Sequence, residues 1–514
     1  MTAGPTLRPA LAAILLVLLA AFLSGAALAA DRPVWMAVGP NALVEAVEPL
    51  AAHRRAEGFE VVTASGPVEK AIESCARRPD FVLLLGDDEP GRADEPWHLA
   101  AGRRRLYRWR EVQRREFASD AIYGDFDADL VPDVPVGRIP ARNAEEAALV
   151  AGKIVAFERR KPGPQDLRLN VWTGSPNYGP LVDSMATGMM LAVMDTAAPK
   201  WVEPWFISGD PRHPLCGWPP DQPGLFTQRM REGGLLNVMV GHSSAERFFS
   251  VKHGDEPIWY TAADARAALA EGPPAAPLLI YSCDAGRFDG QSPCLAESFL
   301  FFPAGPVAVV GATTESHPLT NYFSGQGMLE AVGAAIETQP GAEPDAGPPR
   351  LGSLWLAAQR RARTARNVLV EGLLRDVEGK LEPTIDVEKL RRDQVLMYAL
   401  LGDPATRLRL PRKLTASIER AQDGWRWRAV RPEGANTLSL DFRPAKVEIP
   451  PRGDGADPQA ARAAFLAANA QYAYEPLPAP TGDTPWTGTL ARPGRLRLVA
   501  TGPDALYVTV LHAE

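Results

Sequence analysis

The sequence predicts an α/β protein built on a parallel sheet, followed by a small all-β domain. Two observations predict it. Short apolar runs closed by Gly or small polar residues alternate with helical patterns from Pro33 to about Pro404. Such runs read as buried parallel strands with covering helices. From about Arg412 the texture changes to short runs of two-residue period, the pattern of half-buried antiparallel strands.

The first 29 residues stand outside that fold. Arg8 precedes an apolar run over about 10–23, and Ala27-Leu28-Ala29 supplies a small-x-small cleavage site. The run is shorter than the ~20 apolar residues of a membrane span. Residues 1–29 therefore read as a signal peptide, with an uncleaved anchor as the alternative. The mature protein is expected to be exported, to periplasm, cell surface or medium, and not to span a membrane once the signal is cleaved. With 514 residues, 46% hydrophobic and 23% charged, the rest suffices for about three domains with real cores.

Residues 30–165 form a first α/β block. Strands are expected over 34–38, 59–62 and 81–85. A helix over 41–57, capped by Asn41 and stopped by Gly58, lies between the first two, and one over 68–76 follows. The stretch 87–116 is irregular and carries Arg103, Arg104, Arg105, Arg108, Arg110, Arg114 and Arg115 around Tyr107 and Trp109. Interleaved Arg and aromatic residues can grip nucleic acid. The formal net charge of −7 favours a solvated loop, and no nucleic-acid partner is expected. Asp125, Asp127 and Asp129 alternate as at the start of a calcium loop. Position six is Leu130 rather than Gly, and position twelve is Val136 rather than Glu. Turn chemistry is the first reading of these carboxylates, and calcium as a structural ion is the second. Asn143 can cap an amphipathic helix to Glu158, which Pro162 and Pro164 end.

Residues 166–412 form the second block. Strands are expected over 169–173, 201–206, 235–240, 277–282 and 307–311. Helices are expected over 181–194, 226–232, 323–336 and 351–374, with a Pro/Gly-rich loop at 339–350. The block closes at Gly402-Asp403-Pro404. Residues 413–514 read as a β-sandwich-like domain, with strand period at 425–430, 437–442, 495–499 and 506–510.

Chemistry concentrates where two of these strands end. The run 235–240 leads into Gly241-His242-Ser243-Ser244, and the run 277–282 leads into Cys283. In open parallel sheets, sites gather at the carboxyl ends of strands. Neighbouring strands lie about 5 Å apart. If these two pair, His242 and Cys283 share one rim, a base beside a nucleophile. His242 stands 41 residues before Cys283, the order and rough spacing seen in caspases. Spacing alone leaves the plainer readings open: a buried small hydrophobe for the Cys and a hydrogen-bonded turn residue for the His. Cys294, after Ser292-Pro293, reads as packing. His213, His253 and His317 are alternative bases, though none directly ends an apolar strand. Four cysteines in so long a chain are too sparse for disulfides to hold the fold, and none has zinc spacing.

Several motifs fall in one order: Ser119-Asp120 with Tyr123-Gly124, Val136-Gly137-Arg138, Gly241-His242-Ser243-Ser244, Ser282-Cys283-Asp284-Ala285-Gly286-Arg287-Phe288, and Gly402-Asp403-Pro404. Together they resemble the gingipain family of secreted cysteine peptidases over roughly 33–412. The last block looks like the immunoglobulin-like domain that follows the catalytic domain there. The resemblance implies a caspase-like fold in two α/β subdomains, Cys283 as nucleophile and His242 as base. It implies the backbone N–H groups of Ser243 and Cys283 as oxyanion donors, a protein or peptide substrate, and no cofactor for catalysis. Two departures stand out. Ser243 replaces the family's Gly, and its side chain is expected to narrow the site. The family's acidic third residue, near Gly174-Ser175-Pro176, has no carboxylate counterpart, while Asp183 aligns loosely with the acidic specificity residue. The expected function is an exported cysteine endopeptidase working through an acyl-enzyme. The alternatives are a processing transpeptidase and a non-catalytic surface scaffold on a degenerate peptidase fold.

Overall fold

The computed structural model describes residues 32–107, 116–177, 180–337, 349–368, 370–372, 386–452, 454–478 and 486–514. The expected signal peptide, Arg108, Trp109, Arg110, Arg114, Arg115 and most of the loop at 339–350 lie outside these.

Ten strands form one sheet. They are β1 (Val34–Val38), β2 (Glu60–Ala64), β3 (Phe81–Leu85), β4 (Val136–Ile139), β5 (Arg168–Thr173), β6 (Glu203–Ser208), β7 (Leu236–Val240), β8 (Leu278–Tyr281), β9 (Val309–Ala312) and β10 (Tyr398–Leu401). Their order is β2-β1-β3-β4-β10-β9-β8-β7-β5-β6. Each neighbouring pair is parallel except β9 with β10, which is antiparallel. The two α/β blocks thus run in opposite directions and join at that pair. β10 comes late in the chain but runs with the first block. The inner strands β1, β3, β8, β9 and β10 are buried at every residue, as continuous apolar runs covered on both faces should be. Among the described residues, no helix is long and apolar enough to cross a membrane.

The helices follow their end signals with instructive exceptions. Asn143 caps Ala144–Arg159 by accepting from Glu146 N at 2.9 Å. The helix expected over 41–57 is two helices, Asn41–Ala46 and Glu48–Ala56, and Pro40 rather than Asn41 precedes the first. Pro49 is the cause: it has no N–H, and its ring excludes the carbonyl four residues back. The helix begun at Leu351 ends at Thr364. There the Arg391 guanidinium donates to the carbonyls of Ala362 and Ala365, taking up bonds that a helix end leaves unmade.

Two buried arginines pin the first block. Arg54, with no exposed side-chain surface, donates to Asp403 and Glu158, and Trp35 Nε1 donates to the other Asp403 oxygen at 2.9 Å. Arg138 pairs with Asp120 at 2.7 and 2.8 Å and donates to the carbonyls of Gly86 and Leu99. Asp120, Arg138 and Asp403 are thus framework residues: buried charges persist only when paired.

Residues 412–513 form a five-stranded and a three-stranded sheet. The two share a core of Trp425, Trp427, Leu440, Phe442, Trp486 and Leu498. The strands-only reading of this region is corrected by a helix, Pro458–Ala470, capped by Asp457 on Gln459 N with Pro458 at its start. That helix covers the edge strand β6. The Asn469 amide accepts from Phe206 N at 2.8 Å and donates to Phe206 O at 3.0 Å. Phe465 meets Trp205 edge-on at 5.7 Å. An exposed strand edge invites wrong pairing, and covering it removes that liability.

Candidate active site

β7 and β8 are neighbours in register, Val240 opposite Tyr281. His242 and Cys283 each stand two residues beyond that pair, both half-buried at one rim of the sheet. Gly241 N donates to Tyr281 O at 3.2 Å, so the two segments stay paired one residue past the sheet.

Beyond Gly241 the chain turns into a hairpin, His242–Ser243 against Arg247–His253. Ser244 N donates to Arg247 O at 3.0 Å. In an antiparallel ladder bonded and non-bonded pairs alternate, so Ser243 opposite Phe248 is a non-bonded pair. The Ser243 N–H therefore turns away from the hairpin partner, to the side where Gly241 N meets Tyr281. The Ser243 hydroxyl bonds Ser282 Oγ at 2.6 Å and the Cys283 carbonyl. It ties the His242 segment to the Cys283 segment.

The imidazole of His242 is oriented by a main-chain group. Nε2 lies 2.9 Å from Pro176 O. A carbonyl can only accept, so that partner assigns the proton to Nε2 and leaves the lone pair of the neutral ring on Nδ1. The Pro176 turn is itself held: Ser175 N donates to Ser250 O at 2.6 Å, and Asn177 N to Ser175 Oγ at 3.2 Å. Asp183 is 9% exposed and receives Ser175 Oγ at 3.4 Å. The Pro176 carbonyl thus stands beside His242, and the Asp183 carboxylate beside the neighbouring Ser175.

Cys283 sits at a sharp turn. Asp284 has φ 57°, a conformation that Asp tolerates better than most residues. Asp284 N donates to Thr314 O at 3.0 Å, and Gly286 N to Ala312 O at 2.9 Å. A Cβ on Gly286 would come within 2.4 Å of Gly311 O, so only Gly lets the loop lie flat on β9. Farther on, Phe288 lies under Arg138, 4.8 Å from guanidinium carbon to ring centre. Sγ of Cys283 lies 3.6 Å from Ser316 O and 3.9 Å from Ser316 Oγ.

The rival residues have partners of their own, and of them His317 directly follows Ser316 beside Cys283. Cys294 is fully buried ahead of the helix Leu295–Leu300, and burial holds its thiol well above the usual range. Cys216 is buried and pushed up to about 12 by the same desolvation. His213 Nδ1 accepts from Leu215 N, His317 Nδ1 accepts from Leu319 N, and His253 packs on Trp218. Of the arginine stretch, Arg103 pairs with Asp88 and Asp289.

The acidic loop converges differently from the alternation. Asp125, Asp127 and Asp133 bring one carboxylate oxygen each within 4.8 Å of one another. Asp133 takes the place of Asp129 in that set; the Asp129 carboxylate accepts from Val131 N at 2.8 Å. The signal for Asp133 was present: it is position nine of the same loop pattern. Asp125 Oδ1 is buried without a hydrogen-bond partner, and burial raises the Asp125 pKa. These donors, all oxygen, fit a hard cation such as calcium.

Residues 29–409 match the family model described as Peptidase family C25. The chain belongs to that family. Among solved structures, this C25 chain is similar to the Arg-specific cysteine proteinase gingipain R (RGPB), at 13% identity and a TM-score of 0.50, with 94% of this chain and 98% of that one covered. It is also similar to a structure described only as a protease, at 13% identity and a TM-score of 0.53, with 93% and 97% covered. A search of curated protein sequences finds no match. The structural likeness carries the fold, and the family carries the class, cysteine peptidase.

Proposed function

We propose that this chain is an exported cysteine endopeptidase, with Cys283 as nucleophile and His242 as its base. The observation that carries the reading is the register of β7 and β8, which brings both residues to one rim while Pro176 leaves His242 Nδ1 as acceptor. Nδ1 takes the thiol proton, and the thiolate attacks the peptide carbonyl carbon. The oxyanion is met by the N–H groups of Ser243 and Cys283. The imidazolium then protonates the leaving amine, and water, deprotonated by Nδ1, hydrolyses the acyl-enzyme and releases the thiol. Asp183 steadies the Ser175-Pro176 turn. If it also sets specificity, cleavage after Arg or Lys is favoured and Asp183→Asn removes that preference. We further propose calcium as a structural ion at Asp125, Asp127 and Asp133, with no part in the chemistry.

Cleavage of a mixed peptide library by the wild type and by Cys283→Ala tests the assignment. Loss of cleavage in the variant is expected, and undiminished cleavage overturns it. Adding an amine nucleophile separates hydrolysis from transpeptidation by product mass.

A further inference from the structure

Behind Cys283 lies a buried chain of polar side chains that the steps above do not use. Ser316, Asn321, Gln394 and Tyr398 are all buried, and they come from the loop after β9, the helices Pro318–Glu337 and Val387–Met397, and β10. Asn321 Oδ1 receives Tyr398 OH at 2.8 Å and Gln394 Nε2 at 3.0 Å. Gln394 Oε1 meets Thr320 Oγ1 at 2.6 Å, and Nε2 also donates to Ser324 Oγ at 3.2 Å. Two donors at one amide atom identify it as oxygen. The other amide atom, Nδ2, therefore faces Ser316 and donates to its Oγ at 2.9 Å. A hydroxyl that accepts from an amide keeps its own proton for another acceptor; the Tyr398 phenol oxygen, which also meets Ser316, and Cys283 Sγ at 3.9 Å are both in reach, and a thiolate is the stronger acceptor of the two.

The main chain of Ser316 gives the complementary contact. Its carbonyl, 3.6 Å from Sγ, can accept an S–H but offers nothing to a thiolate. The hydroxyl can donate to a thiolate. We infer that Ser316 Oγ–H is the hydrogen-bond donor that holds the Cys283 sulfur in its thiolate form, and that Asn321 is a positioning residue that aims this hydroxyl. The inference rests on the reading of Cys283 as nucleophile. Burial keeps the Tyr398 phenol above the usual range, so it stays a donor across the working pH. Around the sulfur, His242 stands at the end of β7 and Tyr398 at β10, with Asp284, Glu315 and the buried His317 adjoining Cys283 or Ser316 in sequence. All five are unchanged in the variants below.

The test is the pH dependence of Cys283 alkylation by iodoacetamide in the full chain, read on the Cys283 peptide by mass spectrometry. Losing one hydrogen bond to a charged group should slow Ser316→Ala by about tenfold below the thiol midpoint and move that midpoint up. Ser316→Thr, which keeps the hydroxyl, should retain the wild-type profile. Asn321→Ala removes the amide that aims the Ser316 hydroxyl without adding a charge, and should raise the midpoint with Ser316 intact. A Ser316→Ala profile that superimposes on wild type overturns the donor assignment. An unmoved Asn321→Ala profile overturns the positioning role. Alkylation needs no substrate, so failure here is separate from failure of the peptidase reading, which undiminished cleavage by Cys283→Ala would show.

Discussion

Glu158→Gln gives a direct measure of the buried ion cluster that anchors the first block. The Glu158 carboxylate receives Arg54 Nη1 at 2.8 Å, Arg54 Nη2 at 2.9 Å, Arg407 N at 2.8 Å and His53 Nε2 at 2.9 Å. Burial alone would raise its pKa, but the bonds from His53 and Arg54 outweigh that and hold it at about 2, against 4.5 ordinarily. The folded pKa lies below the unfolded one. Its contribution is therefore fully present above pH 4.5 and is lost as pH falls toward 2. A displacement of that size corresponds to about 3 kcal/mol at pH 7, falling to about 1.4 kcal/mol at pH 3. Gln replaces one acceptor oxygen with an amide that faces two donors, so the cost at pH 7 should be at least that large. Urea unfolding in a Cys283→Ala background, which removes self-digestion, measures it from pH 7 down to pH 3. A cost under about 1 kcal/mol at pH 7, or one that does not shrink on acidification, refutes the reasoning.

Ser243→Gly removes the hydroxyl tie to Ser282 and Cys283 but keeps the N–H. It should cost about 1 kcal/mol of stability in thermal melts, with peptide hydrolysis falling less than about tenfold. Asn469→Ala takes both partners from the Phe206 main chain. It should lower stability by about 2 kcal/mol and speed exchange of the Phe206 amide hydrogen. Calcium at about a hundred times its dissociation constant should raise unfolding stability by about 2.7 kcal/mol. That gain should vanish in Asp133→Asn and persist in Asp129→Asn, as calorimetry with and without chelator can show.

The sheet was legible in the sequence because strands buried on both faces leave continuous apolar runs, as at 81–85 and 278–281. His242 and Cys283 were legible for the same reason, each standing directly after such a run. The split at Val47 could have been read from Pro49, and the helix Pro458–Ala470 from Asp457-Pro458. Asp133 could have been read from position nine of the acidic loop. Pro176 could not: its contribution is a carbonyl, which every residue carries, so no residue type marks it. Ser316 and Asn321 were equally silent, because small polar residues in a loop and a helix are ordinary until Cys283 is seen beside them.

The sequence by itself determined the α/β alternation, the strand ends that carry His242 and Cys283, and the change to β structure after about residue 412, since burial periodicity and end signals are local. The tertiary structure decided the rest. It set which strands are neighbours, the reversal at β9 and β10, the cover over the β6 edge and the partners of His242 and Cys283. Those depend on contacts between residues tens to hundreds apart. The hydrogen bonds that orient a base or a sulfur are fixed by where backbone and small polar groups arrive in space.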